Sequence, residues 1–167
     1  MEAILGGPIV QVALVVPDLD AALRRHDEIF GATRWRIHTF GPHGRHEYYG
    51  RPTSFSLRLA LNDESPQTEL IQPLTGDSIH RDWLAAGGEG LHHIAFAVPS
   101  VAEAIESMAA LGCPLMQTGT GFGARGDGDG AYAYIDATAA LGVIVEPIEQ
   151  PSSLPPPDAM WLAGAYV

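Results

Sequence analysis

An internal repeat constrains this chain more than any other feature. The stretch Leu91-His92-His93-Ile94-Ala95-Phe96-Ala97-Val98-Pro99 follows the pattern of Ile9-Val10-Gln11-Val12-Ala13-Leu14-Val15-Val16-Pro17, and Pro99 stands 82 positions after Pro17. The same offset sets His93 against Gln11. It also sets Val101, Ala104, Ile105 and Met108 against Leu19, Ala22, Leu23 and His26, at the i, i+3, i+4, i+7 spacing of one helix face. Strand, proline and helix kept in one register predict a duplicated half-domain. At 167 residues the chain has room for one domain, or for two half-size modules sharing a core.

Each copy reads as strand–helix–strand–strand–strand. In the first, residues 9–16 form a strand with Val10, Val12, Leu14 and Val16 on one face and Gln11 on the other. Asp18 is placed to cap a helix that stops before Gly31. Strands follow over 33–40, 54–61 and 67–72. Residues 41–52 have the composition of a mobile flap and carry His43, His46 and Glu47. A short helix over 78–86 leads to a glycine-rich link. In the second copy, a strand over 91–98 feeds a helix over 100–111, with Ser100 and Glu103 at capping-box spacing. Strands are predicted over 114–117, 131–135 and 142–148. Residues 118–130 read as a long flexible loop with Arg125 in it. After Gln150, four prolines predict a surface tail that cannot continue a sheet, with Trp161 and Leu162 as its anchors. The expected fold is α+β: two βαβββ modules in tandem forming a curved mixed sheet around a central cavity. Residues 1–90 make the first module with its linker helix, 91–150 the second, and 151–167 the proline-rich tail.

Charge and composition exclude several functions. A net charge of −11 with nine Lys and Arg is unsuited to a polyanion, because nucleic-acid binding requires phosphates to be neutralised. No apolar run reaches the ~20 residues that cross a bilayer. The N-terminus lacks a basic region ahead of an apolar one. The lone Cys113 can form neither an intrachain disulfide nor a cysteine metal cage. These features set the expectation of a cytoplasmic protein with no nucleic-acid or membrane partner and a small molecule as substrate.

The repeat carries one polar residue in the first strand of each copy and one carboxylate in the last: Gln11 and Glu69, His93 and Glu146. Charges in apolar strands are costly unless paired or bound to a metal. Two such modules facing each other would gather all four into one hollow. For Gln11, ligand and hydrogen-bonding partner stay open as alternatives. His92, one residue from His93, is expected on the opposite face in a structural role.

With these residues in place, the chain over about 8–150 resembles the vicinal oxygen chelate superfamily, which includes glyoxalase I, methylmalonyl-CoA epimerase, extradiol dioxygenases and bleomycin-resistance proteins. The segments Gly90-Leu91-His92-His93-Ile94-Ala95, Ala131-Tyr132-Ala133-Tyr134-Ile135-Asp136 and Leu141-Gly142-Val143-Ile144-Val145-Glu146 are most similar to the epimerase branch. The resemblance implies a divalent metal ion (Zn, Co, Ni, Mn or Mg) held by Gln11, Glu69, His93 and Glu146. It also implies Glu146 as a proton-moving group and an isomerase or lyase acting on a small carbonyl or thioester compound. A homodimer is among the assemblies it allows. Two departures stand out. The epimerases have histidine where this chain has Gln11, and their further glutamate base matches roughly Phe55-Ser56-Leu57, where no carboxylate sits. Glu47 is the nearby carboxylate that would replace it. The alternative is a metal-free small-molecule binding protein of the bleomycin-resistance kind. An extradiol dioxygenase fits less well, since Gln11 removes one histidine of a two-histidine, one-carboxylate iron site.

Overall fold

The two copies of the repeat meet as neighbouring strands. The computed structural model describes residues 4–123 and 128–167, so Arg125 lies outside the described residues. The first part of the chain runs β1 (Gln11–Val15), α1 (Leu19–Phe30), β2 (Trp35–Phe40), β3 (Arg45–Tyr48), β4 (Arg51–Thr53), β5 (Ser56–Asn62), β6 (Gln67–Thr75) and α2 (Ile79–Ala85). It continues as β7 (Gly90–Ala97), α3 (Val101–Ala110), β8 (Leu115–Phe122), β9 (Gly130–Asp136), α4 (Thr138–Leu141), β10 (Ile144–Glu149), β11 (Ala159–Leu162) and β12 (Ala165–Tyr166). Among the described residues these strands form one sheet in the order β12-β11-β2-β5-β6-β1-β7-β10-β9-β8-β3-β4. This is the mixed α+β architecture that the repeat predicts.

The register at the centre is that of a pseudo-twofold axis. Strand β1 pairs antiparallel with β7, matching Gln11 to Ala95, Val12 to Ile94 and Ala13 to His93. Since Gln11 corresponds to His93 and Ala13 to Ala95 in the repeat, the first and third pairs are images of each other. The axis passes between Val12 and Ile94. The outer neighbours obey it too. In the parallel β1–β6 pair Glu69 lies beside Ala13, and in the parallel β7–β10 pair Glu146 lies beside Ala95.

Helices take one face and leave the other to the cavity. Asp18 caps α1 by accepting from the Ala21 N–H at 3.0 Å. Leu19 and Leu23 then bury against Val16, Leu14 and Trp35, so the valine face of β1 meets the helix and Gln11 points away from it. Ser100 caps α3, whose Val101 and Met108 pack on Ala133, Ile135 and Val145. The linker helix α2 serves the opposite face, with Ile79 against Ala95, Tyr134 and Ile144. Its Trp83 and Leu84 reach Ala13, Val15 and Phe55.

Three segments differ from expectation. The 41–52 flap is largely a hairpin whose β3 pairs with β8, so chain from the first half completes the far edge of the second. Polar composition hid a short alternation in which Arg45 and Glu47 are exposed and His46 is buried. The loop expected over 118–130 is strand as far as Phe122. Gly119 permits this, because a side chain there would meet the Tyr132 ring at 2.5 Å. The tail also rejoins the sheet: β11 pairs with β2 once the prolines are passed, and Trp161 is 2% exposed. The Trp161 Nε1–H donates to Asp27 Oδ2 at 2.8 Å. Trp161→Ala is therefore expected to destabilise the fold by about 3–5 kcal/mol, the cost of emptying a buried tryptophan site. Urea unfolding checks this, with Trp161→Phe losing less.

Candidate metal centre and cavity

The central strands place the polar residues, and the axis brings them together. A cavity of about 370 Å³ is lined by Gln11, Gln67, Glu69, His80 and Glu146 at polar positions, with walls that include Phe40, Phe55, Leu57 and Ile148. That is a size suited to a small ligand. Tail residues Leu154, Pro155 and Pro156 also line it.

His93 is fully buried, and its Nε2 lies 3.0 Å from Glu146 Oε2 and 3.8 Å from Glu69 Oε2. Despite this approach Nε2 has no hydrogen-bond partner among the described residues. Nitrogen and carboxylate oxygens thus crowd one point without bonding to one another. One imidazole and two carboxylates form a donor set suited to a borderline or hard divalent cation, so the residues present fit such an ion. Gln11 lines the same cavity, but its Nε2–H donates to Gln67 Oε1 at 3.0 Å. A ligand role would fall to its amide oxygen.

Burial outweighs pairing in this cluster. It raises the Glu146 carboxyl from its ordinary 4.5 to about 8, opposed by a hydrogen bond with Tyr134. Glu69 is pushed well upward by burial and then by the charge of Glu146. His93 is lowered to about 3 by burial. The short His93–Glu146 contact is accordingly a meeting of neutral groups near pH 7, and a cation is what would ionise both carboxyls. As pH rises above about 4.5 the unfolded chain loses the Glu146 proton while the folded chain keeps it. The contribution of this carboxyl to stability therefore falls with rising pH until it ionises in the folded chain near 8. In the presence of chelator, Glu146→Gln is expected to gain stability relative to the wild type as pH rises from 5 to 8. Urea midpoints between pH 5 and 8 measure it.

Two histidines near the centre escape a reading by alternation. β7 has a bulge: Ala13 faces His93 and Leu14 faces Leu91, leaving His92 as the extra residue. A bulge breaks the up-down alternation, and His92 is correspondingly not on the opposite face. It is buried with its Nδ1 2.9 Å from His93 Nδ1. His80, unremarked in the sequence, reaches the cavity from the first turn of α2. Ser78 caps that turn by accepting from the Arg81 N–H at 3.3 Å, yet nothing local shows where the turn docks. Of the flap residues, Glu47 is exposed on β3, so it does not take the place of a buried base. His46 turns inward instead. Its Nε2–H donates to the His43 carbonyl at 2.8 Å, which leaves Nδ1 to accept from the Tyr132 hydroxyl at 3.0 Å.

Comparison with known proteins agrees with this architecture. BH1468 from Bacillus halodurans C-125, described as a hypothetical protein, is similar in structure with a TM-score of 0.61 and 21% identity, over 86% of this chain and 94% of that one. Methylmalonyl-CoA epimerase from Mycobacterium tuberculosis gives 0.54 and 23%, over 84% and 86%. The Streptomyces coelicolor methylmalonyl-CoA epimerase in complex with 2-nitronate-propionyl-CoA gives 0.56 and 23%, over 85% and 96%. In sequence, the uncharacterized protein YqjC of Bacillus subtilis (strain 168) is 35% identical over 82 residues, or 49% of this chain and 56% of YqjC. The match thus spans little more than half of that relative's length. The family model of the Glyoxalase/Bleomycin resistance protein/Dioxygenase superfamily matches residues 10–133, the greater part of the sequence, and the chain belongs to that superfamily.

Proposed function

We propose that this protein is a metal-dependent enzyme of the isomerase or lyase type, acting beside the carbonyl of a small oxygenated compound. The observation that carries the reading is the unpartnered His93 Nε2 between the carboxylates of Glu146 and Glu69. Glu69, His93 and Glu146 would hold the cation, with the Gln11 amide oxygen as a fourth donor. A divalent ion bound there supplies Lewis acidity toward paired substrate oxygens. The apolar walls exclude water from the bound compound, and Gln67 holds Gln11 in place through the 3.0 Å bond. Glu146 is the group that takes a proton from the carbon next to the carbonyl and returns it. Tyr134, which lines the cavity with Glu146, opposes the upward shift of that carboxyl. Structural likeness to the epimerases supports a shared fold. Neither the first-strand histidine nor the further glutamate of the epimerases is present, so the proton is handled here by a different set of groups.

The reading is tested by metal titration and by isotope exchange. Binding of Mn²⁺ or Co²⁺ near pH 7 is expected to release protons, because buried carboxyls must ionise to ligate; calorimetry in buffers of different ionisation enthalpy measures this. Glu146→Gln is expected to lower deuterium uptake from D₂O into α-carbonyl compounds by about 10²-fold or more, the worth of a positioned general base. Absence of both cation binding and exchange would rule the reading out. Tight uptake of an apolar compound by metal-free protein, undiminished in Glu146→Ala, would instead establish a binding protein.

A further inference from the structure

Beside the carboxylates, three imidazoles from two elements share one place. His80 comes from α2, and His92 and His93 from the bulge of β7. Each offers a ring nitrogen, and those atoms all lie within 4.8 Å of one another. The residues are 0%, 2% and 0% exposed. The His80 ring centroid lies 5.0 Å from that of His92 and 6.2 Å from that of His93. Among the described residues, neither nitrogen of His80 nor the Nε2 of His92 has a hydrogen-bond partner. Each buried polar group left unsatisfied weakens the fold. A chain could avoid that cost by carrying an apolar residue at position 80. His80 also lines the cavity, which provides a way in.

We infer that His80, His92 and His93 form a nitrogen-only cation site, distinct from the carboxylate set, which takes Zn²⁺ or Cu²⁺ in preference to Mn²⁺ or Mg²⁺. Imidazole suits the former pair and oxygen donors the latter. Two nitrogens on one tetrahedral ion at ~2.0–2.1 Å stand ~3.3 Å apart. The Nδ1 atoms of His92 and His93, at 2.9 Å, need to open only slightly. His93 belongs to both sets and links them. A neutral imidazole has one lone pair. With its proton on Nδ1, shared with His92, the Nε2 lone pair faces Glu69 and Glu146. With its proton on Nε2, beside Glu146 Oε2, the Nδ1 lone pair faces the histidines. One chain therefore fills one site or the other, and the tautomer of His93 decides which.

The test uses the full chain stripped with chelator and loaded with Cu²⁺ or, separately, Mn²⁺. Pulsed electron paramagnetic resonance on the Cu²⁺ form counts coordinated imidazoles, and three are expected. His80→Phe is expected to weaken Cu²⁺ binding by about tenfold or more while leaving Mn²⁺ binding unchanged. Glu69→Gln combined with Glu146→Gln is expected to abolish Mn²⁺ binding and keep the Cu²⁺ spectrum. A wild-type spectrum with one imidazole overturns the inference and needs no variant to fold. Unchanged Cu²⁺ affinity in His80→Phe overturns it as well. Three imidazoles on Cu²⁺ in a chain that never binds Mn²⁺ would uphold this site and sink the carboxylate reading.

Discussion

The antiparallel pairing of β1 with β7 is the constraint on which the rest of this structure depends. Its register sets Val12 against Ile94 at the pseudo-axis, and every equivalence between the halves follows from that pair. A slip of one residue would turn Gln11 and His93 toward the helices and bring valines into the cavity, since side chains alternate with a period of two. Hydrophobic packing on α1 and α3 makes such a slip costly. Leu19 and Leu23 bury in one cluster with Val16, Leu14 and Trp35, and Val101 and Met108 hold the other module in the same way. Ordinary core burial thus fixes where polar atoms meet.

What meets there is electrostatically expensive. Two carboxyls and three imidazoles are removed from water with few hydrogen bonds among them. Burial pushes the carboxyls toward the protonated form and the imidazoles toward the neutral one, so the cluster resists acquiring charge. A polar cluster of this kind detracts from stability. The surrounding apolar packing compensates, including a tail whose Trp161 closes the edge beside Trp35. The same tail lines the cavity with Leu154, Pro155 and Pro156, so stability of the edge and shape of the site are coupled through one segment.

Much of this was legible in the chain itself. Repeat offset, helix caps at Asp18 and Ser100, and alternation in the central strands are local signals, and each has a local physical cause. They suffice for the modules, and for the inference that Gln11, His93, Glu69 and Glu146 occupy equivalent places. They fail where a strand draws its partner from far away. β3 alternates over only a few residues and is stabilised by β8, and β11 follows a run of prolines and is stabilised by β2.

The amino-acid order by itself determined the duplication, the α+β character and the polar residues of the central strands, because periodicity and capping operate within a few residues of each position. Only the tertiary structure decided that His92 turns to the same side as His93, that His80 arrives beside them from α2, and that His46 rather than Glu47 points inward. A bulge arises from the mismatch between two paired strands, and a docked helix is positioned by the surface it covers. Neither can be read from one segment alone.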